Sequence, residues 1–151
     1  MGKRFGFCQL HLIDGGIDTG DIIRTKEFLY PAKCRIPSDY RKIYSEMNLY
    51  FIIDFIEEIR TEGVSIETYK QIEYLSTYWP RLNTPIQGWI NFDYTLDNIE
   101  KFICAFDDPY EGAKCFLNDE IVYIKKVSTD FSSGSFHSFQ NGIIYRVNKN
   151  W

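Results

Sequence analysis

This sequence lacks several patterns that would assign it to a large class of proteins. No apolar run reaches the roughly 18–20 residues that a membrane-spanning helix needs. Gln9, His11 and Asp14 interrupt the apolar core that a signal peptide requires. Basic residues are not in excess, because the formal net charge is −4 and both halves are mildly acidic. Since phosphate contacts drive nucleic-acid binding, this composition disfavours a nucleic-acid surface, although it leaves room for a local basic patch.

Cysteine motifs are missing as well. The four cysteines are widely spaced, at Cys8, Cys34, Cys104 and Cys115, and no two form a Cys-x-x-Cys pair. Zinc-ribbon and thioredoxin-like sites are therefore not indicated, and the spacing of a serine nucleophile elbow is not found either. Because Cys8 and Cys104 lie in apolar patterns, we expect them to pack as small hydrophobic residues in a reducing, cytoplasmic compartment.

Aromatic residues are abundant, with 12 Phe, 11 Tyr and 3 Trp in 151 residues, so the chain can build real cores. Two β-type runs are predicted at residues 5–13 and 22–30. The strongest helix is predicted to begin at Ser38 as N-cap, with Asp39 in its first turn, and to end before Gly63. Its apolar residues recur at helical spacing, so we expect this helix to be packed on a sheet.

The second half of the sequence predicts shorter helices and strands. Residues 64–92 are predicted to be mostly irregular. This stretch contains Tyr78, Trp79 and Trp89, whose rings either anchor a linker or stack on a sugar or nucleotide. A helix over 95–106 is expected with Thr95 or Asp93 as its cap. A hairpin of residues 114–117 and 120–126 is predicted across residues 118 and 119, and a last strand over 142–147.

The most informative stretch is the loop between the first two strands. Within eight positions it carries Asp14, Asp18 and Asp21 together with three glycines, at 15, 16 and 20. A structural turn needs one or two glycines and one Asp, and three carboxylates in one tight turn repel each other. Such a loop indicates that a site needs a carboxylate where a strand ends, which is where open α/β sheets place their ligands.

Three ordered segments resemble the folate-dependent formyltransferases, the family of methionyl-tRNA and sugar N-formyltransferases. The first resembles that family's second active-site loop and consists of His11, Ile13, Asp14, Gly16, Ile17, Asp18, Thr19, Gly20, Asp21 and Ile22. The second runs from Tyr78-Trp79-Pro80-Arg81 to Gly88-Trp89-Ile90-Asn91-Phe92, where the family prefers Asp and Trp at the last two positions. The third is residues 99–113, which resemble the start of the family's C-terminal domain.

The resemblance implies an α/β fold. Residues 1–75 are expected to be the C-terminal part of a Rossmann-like formyltransferase domain. Residues 76–92 are expected to be a linker, and residues 93–151 a small, incomplete α+β domain of one helix and antiparallel strands. The formyl donor implied is 10-formyltetrahydrofolate. Asp18 is implied as the catalytic carboxylate, and the donor-binding residues implied are His11, Ile13, Asp14, Gly15 and Gly16.

In that family the Asp acts with an Asn and a His. The Asn stabilises the oxyanion, the His moves protons, and the Asp keeps the His charged and oriented and positions a water. Both partners belong to a motif upstream of the Asp, and none of the 17 residues before Asp18 is an Asn. We therefore expect the isolated chain to be an inactive portion of such an enzyme.

Other interpretations stay open at this point. Asp18 could be an ordinary acidic turn residue, Asp21 could only accept backbone N–H groups, and Asp14 could shape the loop that contacts the pterin. A calcium site is disfavoured because the EF-hand register and its closing Glu are missing, and no metal is expected. An amino sugar on a nucleotide is the acceptor favoured over tRNA, which is not excluded. The alternative function is a truncated homologue that binds a partner or forms a homodimer through an exposed sheet edge.

Overall fold

The computed structural model describes residues 4–63, 65–78, 80–130, 137–144 and 147. The chain divides into two compact units, Gly2–Arg81 and Leu82–Trp151. The described parts mix helices and strands in both units, which confirms the predicted fold class of α and β elements. No helix in these ranges has the length and hydropathy needed to cross a bilayer. The proposed linker over residues 76–92 and the two domain boundaries stay predictions.

The first unit is built on an antiparallel strand pair. β1 (Phe5–His11) pairs with β2 (Ile22–Leu29), with Phe5 opposite Leu29 and a register shift between Leu10 and His11. The flanking apolar runs thus form one long hairpin, and the acidic loop is its connection.

The long helix covers one face of this hairpin. α1 (Pro37–Glu62) contributes Phe51, which is fully buried and forms the core with Cys8 and Phe28. Ile43 and Met47 pack against this cluster from the same helix. Packing on a sheet is therefore confirmed, and Cys8 is a packed hydrophobic residue, as predicted.

The ends of α1 correct one prediction and confirm another. The N-cap is Ile36 rather than Ser38, because Pro37 occupies the first helical position and places the helix start two residues earlier. Asp39 accepts hydrogen bonds from the backbone N–H groups of Arg35 (2.9 Å) and Ile36 (3.2 Å). The helix ends at Gly63, whose left-handed backbone (φ +60°) is the conformation expected of a C-cap glycine.

The second unit combines a short helix, α2 (Thr84–Gln87), with α3 (Leu96–Ala105) and a second strand pair. Thr95 is the N-cap of α3, and its hydroxyl accepts from the N–H of Asn98 at 3.4 Å. β3 (Ala113–Leu117) and β4 (Glu120–Ile124) form the predicted hairpin. Its turn residues, Asn118 and Asp119, have positive φ values of 49° and 67°, as a two-residue hairpin turn requires.

The core of the second unit lies between α3 and β3. Ile103, Phe106 and Ala113 are buried together, and Cys104 is buried nearby, as predicted. All four cysteines lie within the described residues, and none of them forms a disulfide.

The strand predicted over residues 142–147 is wrong in its described part. Residues 141 and 142 form a turn after a short 3-10 helix, Ser138–Gln140, and the N–H of Ile143 bonds back to the carbonyl of Gln140 at 3.1 Å. Residues 143 and 144 are irregular. Residue 147 is irregular, and residues 145 and 146 lie outside the described residues.

Candidate functional site

The acidic loop, residues 12–21, is closed at its base by the backbone. The N–H of Leu12 donates to the carbonyl of Asp21 at 2.9 Å, one step beyond the last paired residues of β1 and β2. Gly20 is buried here, and a Cβ at that position would lie 1.7 Å from the carbonyl oxygen of Leu12. Only glycine allows the two ends of the loop to approach this closely. In this closure Asp21 contributes its backbone carbonyl.

Asp14 orders the tip of the loop. Its Oδ1 accepts from the backbone N–H of Gly16 at 2.9 Å and from the hydroxyl of Thr19 at 2.6 Å. The hydroxyl bond from Thr19 and then the amide bond from Gly16 lower the pKa of the Asp14 carboxyl below its usual value. Asp14 therefore orders this loop through its carboxylate, and the contact of the loop with a pterin stays a prediction.

Asp18 lies beside His11. Its Oδ1 is 3.7 Å from Nε2 of His11, and its backbone is left-handed with φ +55°. The other ring nitrogen of His11, Nδ1, is 3.0 Å from the carbonyl oxygen of Leu12. Because a carbonyl oxygen can only accept, Nδ1 donates in that contact, and Nε2 is the nitrogen that faces Asp18.

This geometry defines what the pair can do. The Asp18 side chain is 86% exposed and that of His11 is 29% exposed, so their attraction is screened by water and weak for stability. When His11 is protonated, the carboxylate of Asp18 faces the Nε2–H and can orient it. The arrangement presents one carboxylate and one imidazole, side by side, to any molecule that covers the loop.

The remaining predicted donor-binding residues are open to solvent. Ile13 is 97% exposed, and a Cβ added at Gly15 would meet no atom within 4 Å. Ile17, on the same loop, is 91% exposed. Gly16, by contrast, faces the Thr19 side chain, whose Oγ1 would be 2.2 Å from an added Cβ. The loop thus combines exposed apolar side chains with carboxyl groups, and the assignment of these residues to a donor stays a prediction.

One residue that holds the loop was missed from the sequence. The side-chain amide of Gln71 donates to the carbonyl oxygens of Asp18 and Gly20, both at 2.8 Å. It lies 53 residues after Asp18, in a stretch read as irregular, so no local pattern signals the contact.

The aromatic side chains between positions 78 and 89 differ in their exposure to solvent. Tyr78 is 89% exposed, and Trp79 lies outside the described residues. The half-buried Trp89 stacks on Phe116 with ring centroids 4.8 Å apart, and Nζ of Lys114 is 4.5 Å from its ring. Trp89 is thus an anchor inside the second unit.

The described residues form no group that could hold a metal ion, and no residue of the loop lines the cavity found in the second unit. Over the residues that the structure describes, no three His, Cys, Asp or Glu side chains are grouped to hold a metal ion. An open cavity of about 310 Å³ lies along α3. The residues lining it are Tyr94, Asn98, Lys101, Phe102 and Ala105, none of which is a predicted site residue.

Comparisons with known proteins bear on both units. Residues 83–151 match the family model described as formyl transferase, C-terminal domain. A comparison with curated protein sequences found no significant match. Among solved structures, the chain is similar to a methionyl-tRNA formyltransferase from Clostridium thermocellum, with a TM-score of 0.56 and 21% identity. The match covers 84% of this chain and 52% of that one, so the chain spans about half the length of the matched protein.

At 21% identity the structural match shows the fold alone, and the family model matches only residues 83–151, somewhat less than half of the chain. The resemblance read from the sequence is confirmed to that extent. The chain therefore has a formyltransferase-like fold, and its residues 83–151 are similar to the C-terminal domain of formyl transferases.

Proposed function

We propose that this chain is part of a formyltransferase that uses 10-formyltetrahydrofolate and that the acidic loop, residues 12–21, binds the donor. The observation that carries the proposal is the placement of His11, the last residue of β1, beside the ordered loop that bears Asp14 and Asp18. The family match of residues 83–151 supports the reaction class independently of this loop.

Formyl transfer is attack by an amine on an amide-like carbonyl carbon. The amine loses a proton, and the carbonyl oxygen gains negative charge in the tetrahedral intermediate. Collapse of the intermediate re-forms the carbonyl and breaks the bond between the formyl carbon and the donor nitrogen, which takes up a proton and leaves as tetrahydrofolate. Proton transfer of this kind contributes about 10²–10⁴ in rate, and oxyanion donors about 10²–10³. In the proposed arrangement the carboxylate of Asp18 orients a protonated imidazole, and the exposed Ile13 packs against the pterin ring of the donor.

We further propose that the isolated 151-residue chain binds the donor without turning it over. An orienting carboxylate needs a group that stabilises the oxyanion. The Asn that supplies this role in the resembled family does not occur before Asp18 in this sequence.

The first experiment measures donor binding. Calorimetry with 5-formyltetrahydrofolate, a stable isomer of the proposed donor, should give saturable binding to the chain. Asp14→Ala should weaken this binding about tenfold, because the loop tip loses the two hydrogen bonds that order it. Asp108→Asn, in the second unit, is the matched control and should leave the affinity unchanged. Equal affinities for Asp14→Ala and wild type would count against the loop as the donor site.

The proposed acceptor is an amino sugar carried on a nucleotide. Residues 79–151 contain seven Lys or Arg and nine Asp or Glu, which disfavours a tRNA-binding surface. Filter binding with tRNA at 50 and 200 mM salt tests this choice. We expect no saturable tRNA binding, and tight binding that falls steeply with salt would overturn the choice of acceptor. A formyl-transfer assay with both acceptor classes completes the test, because turnover that disappears in Asp18→Ala would contradict the proposed inactivity of the isolated chain.

One observation supports the alternative function, in which the chain is a homologue that binds a partner or forms a dimer. Phe5, Phe7 and Leu29 lie on the face of the β1–β2 hairpin opposite the core and are 78%, 60% and 56% exposed. Sedimentation equilibrium, together with the calorimetry, distinguishes the two hypotheses. A strict monomer that binds 5-formyltetrahydrofolate supports the enzyme hypothesis. A homodimer without folate binding supports the alternative.

A further inference from the structure

The segment around residues 69–71 crosses the base of the acidic loop. Tyr69 pairs with Ile22, the first residue of β2, through two backbone hydrogen bonds of 2.8 and 3.0 Å. Its hydroxyl is 3.2 Å from the hydroxyl of Thr25 on the same strand. Two residues further along, Gln71 reaches the loop itself.

The contact made by Gln71 uses both hydrogens of one amide. Its Nε2 is 2.8 Å from the carbonyl oxygen of Asp18 and 2.8 Å from that of Gly20. A primary amide nitrogen has two N–H groups and no acceptor capacity, so each carbonyl receives one of them. The two carbonyls lie on either side of Thr19, and the amide therefore fixes the direction of the chain immediately after Asp18.

Asp18 needs such support because of its backbone. Its φ of +55° is in the left-handed region, which an L-residue with a side chain occupies at a cost. Without a partner for its carbonyl, the residue gains by relaxing to a negative φ, and this change swings the carboxylate away from Nε2 of His11. Thr19 also stabilises this turn, because its hydroxyl donates a hydrogen bond to the carboxylate of Asp14.

We propose that Gln71 is a positioning residue, whose amide holds the Asp18 carboxylate beside His11 by fixing the loop backbone from a distant segment of the chain. It does not touch the substrate. The positioning itself is a property of the free protein, and only its consequence for donor binding rests on the proposed function.

A merely structural role would be to tie the segment to the hairpin. The backbone pair between Tyr69 and Ile22 already makes that tie without the Gln71 side chain. Removing the amide should therefore change the loop while leaving the segment attached, and this difference makes the proposal testable.

The test compares Gln71→Met, which keeps the length of the side chain and removes both donors, with Tyr69→Phe as the matched control. Tyr69→Phe removes a hydroxyl from the same segment and leaves the amide in place. NMR of the free chains reads two contacts: the NOE between the His11 ring and the Asp18 β-protons, and the NOE between the backbones of Ile22 and Tyr69.

Wild type and Tyr69→Phe should show both NOEs. Gln71→Met should lose the first and keep the second, and the carbonyl carbon resonances of Asp18 and Gly20 should shift. If Gln71→Met retains the His11–Asp18 NOE, the proposal is wrong. If it loses both NOEs, Gln71 is a structural tie, and the proposal is overturned as well.

A second measurement keeps this proposal separate from the proposed function. Calorimetry with 5-formyltetrahydrofolate should give about three- to tenfold weaker binding for Gln71→Met than for Tyr69→Phe, because the loop must then be ordered on binding. Unchanged affinity in Gln71→Met contradicts the effect of positioning on the donor. If wild type itself does not bind, the proposed function fails, whereas the NOE comparison still decides the role of Gln71.

Discussion

Gly20→Ala should damage the acidic loop more than any neighbouring glycine substitution. The Cβ of alanine would be built 1.7 Å from the carbonyl oxygen of Leu12 and 2.5 Å from its carbonyl carbon. An ordinary contact between a carbon and an oxygen is ~3.3 Å. The two backbone segments would therefore have to separate by about 1.6 Å, and no side-chain rotation can relieve the clash because the obstructing atoms belong to the backbone.

The magnitude follows from the bonds that such a separation breaks. The N–H of Leu12 bonds to the carbonyl of Asp21 at 2.9 Å, and Gln71 bonds to the carbonyl of Gly20 at 2.8 Å. Each contributes about 0.5–1.5 kcal/mol. Gly20→Ala should thus lower the free energy of unfolding by about 1–3 kcal/mol, as measured by urea denaturation followed by circular dichroism.

Gly15→Ala is the matched control for this measurement of stability. An added Cβ at Gly15 meets nothing within 4 Å, so the change in the free energy of unfolding should stay within about 0.5 kcal/mol. If Gly20→Ala is as stable as Gly15→Ala, the two ends of the loop do not approach each other as closely as described. The proposed closure of the loop at its base is then wrong.

Three further predictions concern the core, the loop and a helix cap. Phe51→Ala should cost about 3–5 kcal/mol in urea denaturation, because this fully buried ring is the centre of the first core; a cost below 1 kcal/mol contradicts that packing. Thr19→Val should raise the pKa of Asp14, measured by carbon NMR titration, since the largest cause that lowers it is removed. Thr95→Ala should destabilise the second unit by about 0.5–1 kcal/mol, because α3 loses its bond to Asn98, and Thr95→Ser should restore it.

The sign of the pH effect at Asp14 follows from the direction of its shift. Because the pKa of Asp14 is lowered in the folded chain, the stability that it contributes is present above the unfolded pKa and is lost as the pH falls through the folded value. Thr19→Val should therefore lose less stability on acidification than wild type does. An unchanged titration of Asp14 in Thr19→Val would contradict the hydroxyl bond.

Much of the local structure could be predicted because its signals are local. Gly63 ends α1, Thr95 begins α3, and Asn118 and Asp119 turn the β3–β4 hairpin, each through a residue preference that acts over a few positions. Ser38 failed as an N-cap because Pro37 at the first helical position outweighs it. In residues 142–144 an apolar run suggested a strand, but the backbone bonds back to the preceding turn.

The site was only partly predictable. Asp14 and Asp18 stood out because three carboxylates crowd one short loop, and their positions on the hairpin follow from the two strands. The pairing of His11 with Asp18 joins the end of β1 to a loop residue with a left-handed backbone. The alternation of side chains specifies neither that backbone conformation nor the register shift at the end of β1. Gln71 could not be found, because its partners lie more than 50 residues away and its own segment has no regular pattern.

The central claim is that the acidic loop binds a formylated folate. An NMR titration of the ¹⁵N-labelled chain with 5-formyltetrahydrofolate tests it most directly, because each backbone amide reports on its own part of the chain. The account predicts saturable shifts at Gly15, Gly16 and Thr19, with small changes at α3 and β3. Saturable shifts confined to the second unit, or none at millimolar ligand, would contradict it.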